Sequence, residues 1–185
     1  MSSKPQLLKR WKNLKALHHS YIEMLNNESE EFLYFQPNED KWSAAQIINH
    51  LTKVDKNTYD FIAQFDFNRK KEKMGLRNKI NSLMLNYFLK SSLKAKVPVE
   101  SIYPEDRPDI GSMITFYEDF TGEFEKFIKQ FPEDKLDFFI FKHPLAGKLN
   151  ILQTVEFLTN HSRHHNIQIN KLKRKFNQLQ NGRST

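Results

Sequence analysis

Four stretches of the chain repeat their apolar residues at spacings of three and four, and that periodicity constrains the fold more than any other feature. In the first, Leu7, Leu8, Trp11, Leu14, Leu17, Tyr21, Met24 and Leu25 mark one side of a helix of about six turns. The second opens at "KWSAAQIINHL". There Ser43 can cap the first backbone N–H groups, Gln46 can reach back to the cap, and Trp42 is placed to staple onto Ile47. This helix is expected to run to about Phe65. The third covers "IGSMITFYEDFTGEFEKFIKQF", with Met113, Phe116, Phe120, Phe124 and Phe127 or Ile128 on one side. The fourth starts at "NILQ", where Asn150 and Gln153 repeat the capping-box pattern. Five Gly and seven Pro in 185 residues are too few for a many-turned β fold, and sixteen Phe supply much of a core. The expectation is an all-α four-helix bundle, in one domain spanning residues 1–185.

The connections are less regular. "NNESEEFLYFQPNEDK" breaks the first periodicity with Asn and Pro. Residues 66–106 read as an elaborated crossover between the second and third helices. Within it "INSLMLNYFLKSSL" looks helical and apolar, between a basic stretch at 69–79 and "AKVPVESIYPEDRPD", whose three prolines argue for a long connection. "PEDKLDFFIFKHPLAGK" reads as an irregular link into the fourth helix.

The absence of cysteine excludes disulfides, thiolate metal sites and a cysteine nucleophile, so a metal would need His, carboxylate or water ligands. The net charge of +7 and pI near 9.4 raise the question of a polyanionic partner. However, acidic residues are interleaved, and no helix-turn-helix, zinc-finger or aromatic RNA-binding signature accompanies the charge, so solvated helix faces are the better reading. No secretory h-region and no run of eighteen apolar residues occurs, which points to a soluble cytoplasmic protein rather than a membrane one.

Three of the seven histidines crowd into "LTNHSRHHNIQI". At about 100° per residue, with His161 at zero, the apolar arc of the fourth helix (Ile151, Val155, Leu158, Ile169, Leu172, Phe176, Leu179) centres near 60°. His165, near 40°, lies inside it; His161 is at its edge; His164, near −60°, is outside. On the second helix His50 sits at the margin of the face carrying Ile47, Leu51, Val54, Phe61 and Phe65. His50, His161 and His165 can therefore look into one interior, while His18, His19 and His164 are expected at the rim or surface. The i, i+4 spacing of His161 and His165 brings both rings to one side, close enough to share an ion. Buried without ligands, such rings would cost about 1–3 kcal/mol for each unsatisfied nitrogen.

The blocks "KWSAAQIINHL" and "HPLAGKLNILQTVEFLTNHSRHHNIQI" resemble two motifs of the DinB/YfiT-like metalloenzyme superfamily: K-W-S-x-x-x-[IV]-[IL]-x-H-L, and H-P-x-x-G followed by H-x-x-x-H-x-x-Q-I. Together they cover about a fifth of the chain. The resemblance implies a bundle of up-down-down-up order with a long crossover between helices two and three, and a homodimer. It also implies a divalent metal (Ni, Zn or Fe) on His50, His161 and His165. Some relatives use a low-molecular-weight thiol, so the implied activity is metal-dependent nucleophilic transfer, of a thiol among other nucleophiles, or hydrolysis. A non-catalytic metal-binding or stress-response bundle is the alternative, with nucleic-acid binding behind it. Gln168 reads more readily as an interhelical hydrogen bonder than as a ligand-orienting group, and His143 as a residue that shapes the link. Asn49 and Asn160 carry no role, and the stretch at 66–106 carries no motif that would name a substrate.

Overall fold

The structure, a computed structural model, describes residues 2–66, 100–144 and 146–182. Among them are four long helices, α1 (Lys4–Asn27), α3 (Ala44–Ala63), α4 (Ile110–Gln130) and α5 (Ile151–Gly182), and a single-turn α2 (Glu30–Leu33) in the first connection. Both α1 and α3 pack against both α4 and α5, as expected of a four-helix bundle. The helix expected at "INSLMLNYFLKSSL", like most of the 66–106 crossover, lies outside the described residues. No helix among the described residues is long and apolar enough to cross a membrane.

The helix starts follow their caps. Ser43 Oγ accepts from the Gln46 N–H at 3.2 Å while Gln46 Oε1 accepts from the Ser43 N–H at 3.0 Å. Asn150 and Gln153 make the same reciprocal pair at 2.9 and 3.1 Å. Asp109 opens α4 by accepting from the Ser112 N–H at 2.7 Å. Because Ser43 is buried, its N–H partners have no water to fall back on. Ser43→Ala is therefore expected to cost about 1 kcal/mol, read as a lower denaturant midpoint with an unchanged slope.

Two apolar clusters fill the bundle. One gathers Leu7, Leu14, Phe124, Ile128, Val155 and Leu158; the other gathers Tyr21, Leu33, Ile48, Leu51, Tyr117 and Ile169. Along α1, His18 falls between Leu14 of the first cluster and Tyr21 of the second. Along α5, His161 and His165 fall between Leu158 and Ile169 in the same way.

The structure departs from the sequence reading at several places. His18, expected at the rim or surface, is 0% exposed, because α1 buries the stripe Leu7, Trp11, Leu14, His18, Tyr21 and Leu25. Its ring lies against Asp55 of α3, Nε2 to Oδ2 3.1 Å. Phe61 is 49% exposed, its ring meeting Phe141 edge-on, and Leu179 is 48% exposed, because α5 runs well past Leu172, its last buried residue. The link into α5 is partly regular: β1 (Phe141–His143) and β2 (Gly147–Leu149) form an antiparallel hairpin pairing Phe141 with Leu149 and His143 with Gly147. Gly147 takes φ 73° at this turn, a conformation that suits glycine. The hairpin delivers the chain directly onto the Asn150 cap.

Candidate metal centre

α3 supplies His50, and adjacent turns of α5 supply His161 and His165. Their ring nitrogens converge: Nε2 of His161 lies 3.4 Å from Nε2 of His50 and 3.2 Å from Nε2 of His165. One nitrogen from each ring falls within 4.8 Å of the others. His50 and His165 are buried and His161 is half-buried, so the cluster meets the surface through His161. Among the described residues this is the one group of three or more His or carboxylate side chains placed to grip a metal ion.

The other nitrogen of two of these rings decides the tautomer. His50 Nδ1 lies 2.7 Å from the Ile102 carbonyl, which can only accept, so Nδ1 carries the proton. His165 Nδ1 donates to Gln168 Oε1 at 3.1 Å, and the Gln168 amide N–H in turn reaches His164 Nε2 at 3.1 Å. Gln168 thus orients a ring of its own helix rather than bridging helices. Both Nε2 atoms are left as lone pairs aimed at His161. A proton on His161 Nε2 could satisfy one of them but not both, which would leave a buried acceptor unpaired at about 1–3 kcal/mol.

A cation resolves that conflict. Zn–N distances near 2.0–2.1 Å place two ligands of a tetrahedral shell roughly 3.3 Å apart, close to the 3.2 and 3.4 Å found here. Carbonyl and amide acceptors on the far nitrogens are the partners that metal-bound histidines use. The residues therefore fit a divalent ion with three imidazole ligands.

Aromatic rings wall the cluster. Trp42 lies 5.1 Å from the His50 ring and stacks at 6.4 Å on His165, with Tyr103 meeting its edge at 6.4 Å. Trp42 thus forms a wall of the site, beyond the helix-start staple expected of it. On the other side Phe157 stacks on His161 at 5.6 Å, and His143 packs edge-on against Phe157 at 4.5 Å. Its Nδ1 accepts from the Ala146 N–H at 3.1 Å, so His143 shapes the hairpin turn as expected.

Burial in these surroundings holds the histidines neutral. It is the largest cause for all four, taking His165 down to about 3, His143 to about 4, His161 well below its ordinary value and His50 below it. For His161 and His165 neighbouring imidazoles add to the effect. The unfolded chain keeps a histidine pKa near 6.5, so below that pH it takes up protons that the folded chain does not. Stability of the metal-free protein is therefore intact above about pH 6.5 and is lost as pH falls towards the folded values. The expected slope is at most about 1.4 kcal/mol per pH unit for each such histidine, read from denaturation curves of metal-free protein at pH 7 and pH 5.

A sequence model of the DinB superfamily matches residues 6–169. The chain belongs to the DinB superfamily. Comparison with curated proteins finds no match. Among solved structures the chain is similar to YfiT from Bacillus subtilis, described as "a probable metal-dependent hydrolase with an unusual four-helix bundle topology". That likeness has 14% identity and a TM-score of 0.62, over 96% of this chain and 91% of YfiT, and shows a shared fold. His19 is exposed and His164 half-buried, in keeping with the rim or surface positions expected of both. Ile102 escaped the sequence reading entirely, since a backbone carbonyl has no residue signature. Phe157, one turn before His161, has no part in the apolar arc read from the sequence.

Proposed function

We propose that the protein is a divalent-metal-dependent enzyme in which His50, His161 and His165 hold the ion and leave a position open for nucleophilic transfer or hydrolysis. The observation that carries the reading is the convergence of three imidazole nitrogens, two with their lone pairs fixed inward by Ile102 and Gln168. Three neutral ligands from the protein are the pattern of catalytic rather than closed structural sites. Zn, Ni and Fe all suit imidazole.

Bound there, the ion would act as a Lewis acid and lower the pKa of a water or thiol ligand. The chain's own residues set the surroundings for that chemistry. Trp42 and Phe157 exclude water from the ligand rings, and His161, the half-buried member, lies on the side from which a substrate approaches. The chain has no cysteine, so a thiol nucleophile would come from solution as a low-molecular-weight compound. The reading takes the chain as a single catalytic domain and keeps the homodimer that the family resemblance implies.

The test is Co(II) substitution followed by visible spectroscopy during titration with azide and with a small thiol. An open coordination position predicts a saturable change in the d–d bands. Bands that ignore both ligands would indicate a sealed site and favour a metal that only tightens the bundle.

A further inference from the structure

The described end of the crossover, residues 100–106, lies along α3 and is fastened to one polar stripe of that helix. Gln46 Nε2 donates to the carbonyls of Glu105 and Asp106 at 3.4 and 3.1 Å, and Asn49 Oδ1 accepts from the Glu105 N–H at 3.0 Å. Lys53 Nζ reaches the Tyr103 carbonyl at 3.0 Å and the Glu105 carboxylate at 3.2 Å, and Asn57 Nδ2 donates to Ser101 Oγ at 3.2 Å. His50 belongs to the same stripe, through its Nδ1 bond to Ile102. Residues 46, 49, 50, 53 and 57 are spaced by three and four, so one helix face makes every one of these bonds.

We propose that Asn49 is a positioning residue for the metal centre: it fastens the 100–106 strap to α3 so that the Ile102 carbonyl holds His50 with Nε2 aimed at the ion. The inference rests on the metal-centre reading and assigns a role to a residue outside the ligand set. Asn49 is the informative member of the stripe because it is buried and its oxygen pairs with a backbone N–H that needs an acceptor. Gln46 also caps α3, and the bonds of Lys53 and Asn57 are exposed, so their loss would read less cleanly. The strap carries Ile102 three residues before Glu105. Releasing Glu105 therefore loosens the carbonyl that fixes the His50 tautomer. Direct partners of a metal-ligating histidine, when removed, weaken metal affinity by about 10–100-fold, and Asn49 acts one step further out, which places its effect at the low end.

Linkage makes the effect reciprocal: whatever the strap contributes to holding the metal, the metal contributes to holding the strap. Two measurements with Zn2+ as the probe test this. Competition titration should show Asn49→Ala binding about tenfold more weakly than wild type, with Asn49→Asp, which retains an acceptor oxygen, recovering most of the loss. Hydrogen exchange of the wild-type protein should show the amides of 100–106 slowing when Zn2+ is added, a readout that needs no variant to fold. Wild-type affinity in a folded Asn49→Ala, or exchange in the strap indifferent to Zn2+, overturns the coupling while leaving the metal centre standing. Failure of the wild-type protein to bind Zn2+, Ni2+ or Fe2+ tightly overturns the metal-centre reading and this inference with it.

Discussion

His165→Ala is expected to lower metal affinity by roughly a hundredfold or more, taking elemental analysis of protein purified without added metal from about one ion per chain to a small fraction. The magnitude follows from structural zinc sites, whose binding energy of about 10–16 kcal/mol is shared among four ligands, so that one ligand is worth roughly 3 kcal/mol. His165 is the most telling of the three. It is buried, its far nitrogen is fixed by Gln168, and its near nitrogen lies 3.2 Å from that of His161. His164→Ala is the matched control, one residue away and half-buried, with its ring nitrogen turned to Gln168 instead of the cluster. It should leave stoichiometry at the wild-type value. Equal metal content in wild type and His165→Ala would contradict the proposed centre directly.

What the sequence made legible was local. Helix existence, the caps at Ser43 and Asn150, and the direction in which His161 and His165 face all follow from residues within a few turns of one another. A helical wheel places His50 only at the margin of the apolar face of α3, and its likeness to a ligand came from the resemblance of the block "KWSAAQIINHL". What failed depended on distant partners. His18 reads as a rim or surface residue in the sequence, because nothing within a few turns of it supplies a polar partner. Its surroundings among the described residues are Asp55, on another helix, and the rings of Trp11, Tyr117 and Phe120. Trp42 read as a staple because its other neighbours, His165 and Tyr103, come from remote parts of the chain. The Asn49 contact was hidden for the same reason, since its partner is a backbone N–H of the crossover. Leu179 failed the opposite way, because periodicity continues past Leu172, the last buried residue of α5, whereas Phe61 lies off the buried face that its neighbours Thr58 and Ile62 occupy.

The His18–Asp55 contact carries the other large effect. Asp55 is 1% exposed and is the one carboxylate buried among the described residues. Its Oδ2 lies 3.1 Å from His18 Nε2, and neither atom has an aligned hydrogen bond among the described residues, so each is the other's nearest polar partner there. His18→Ala would leave that carboxylate without its partner in a low-dielectric interior. The expected loss is about 3–5 kcal/mol, a fall in melting temperature of roughly 10 °C for a chain of this size. Replacing both residues with leucine should restore most of the loss, because two well-packed apolar side chains need no compensation and such exchanges are often neutral or stabilising. A double-mutant cycle with a coupling energy above about 2 kcal/mol is the expected result; additive single losses would show that the pair is two independent packing residues. On this argument the pair contributes little net stability. Its value lies in its level: His18 sits between the two apolar clusters on α1, as His161 and His165 do on α5. A slip of α1 against α3 by one turn would part the two groups and leave Asp55 against hydrocarbon, so the pair makes other registers of those two helices costly.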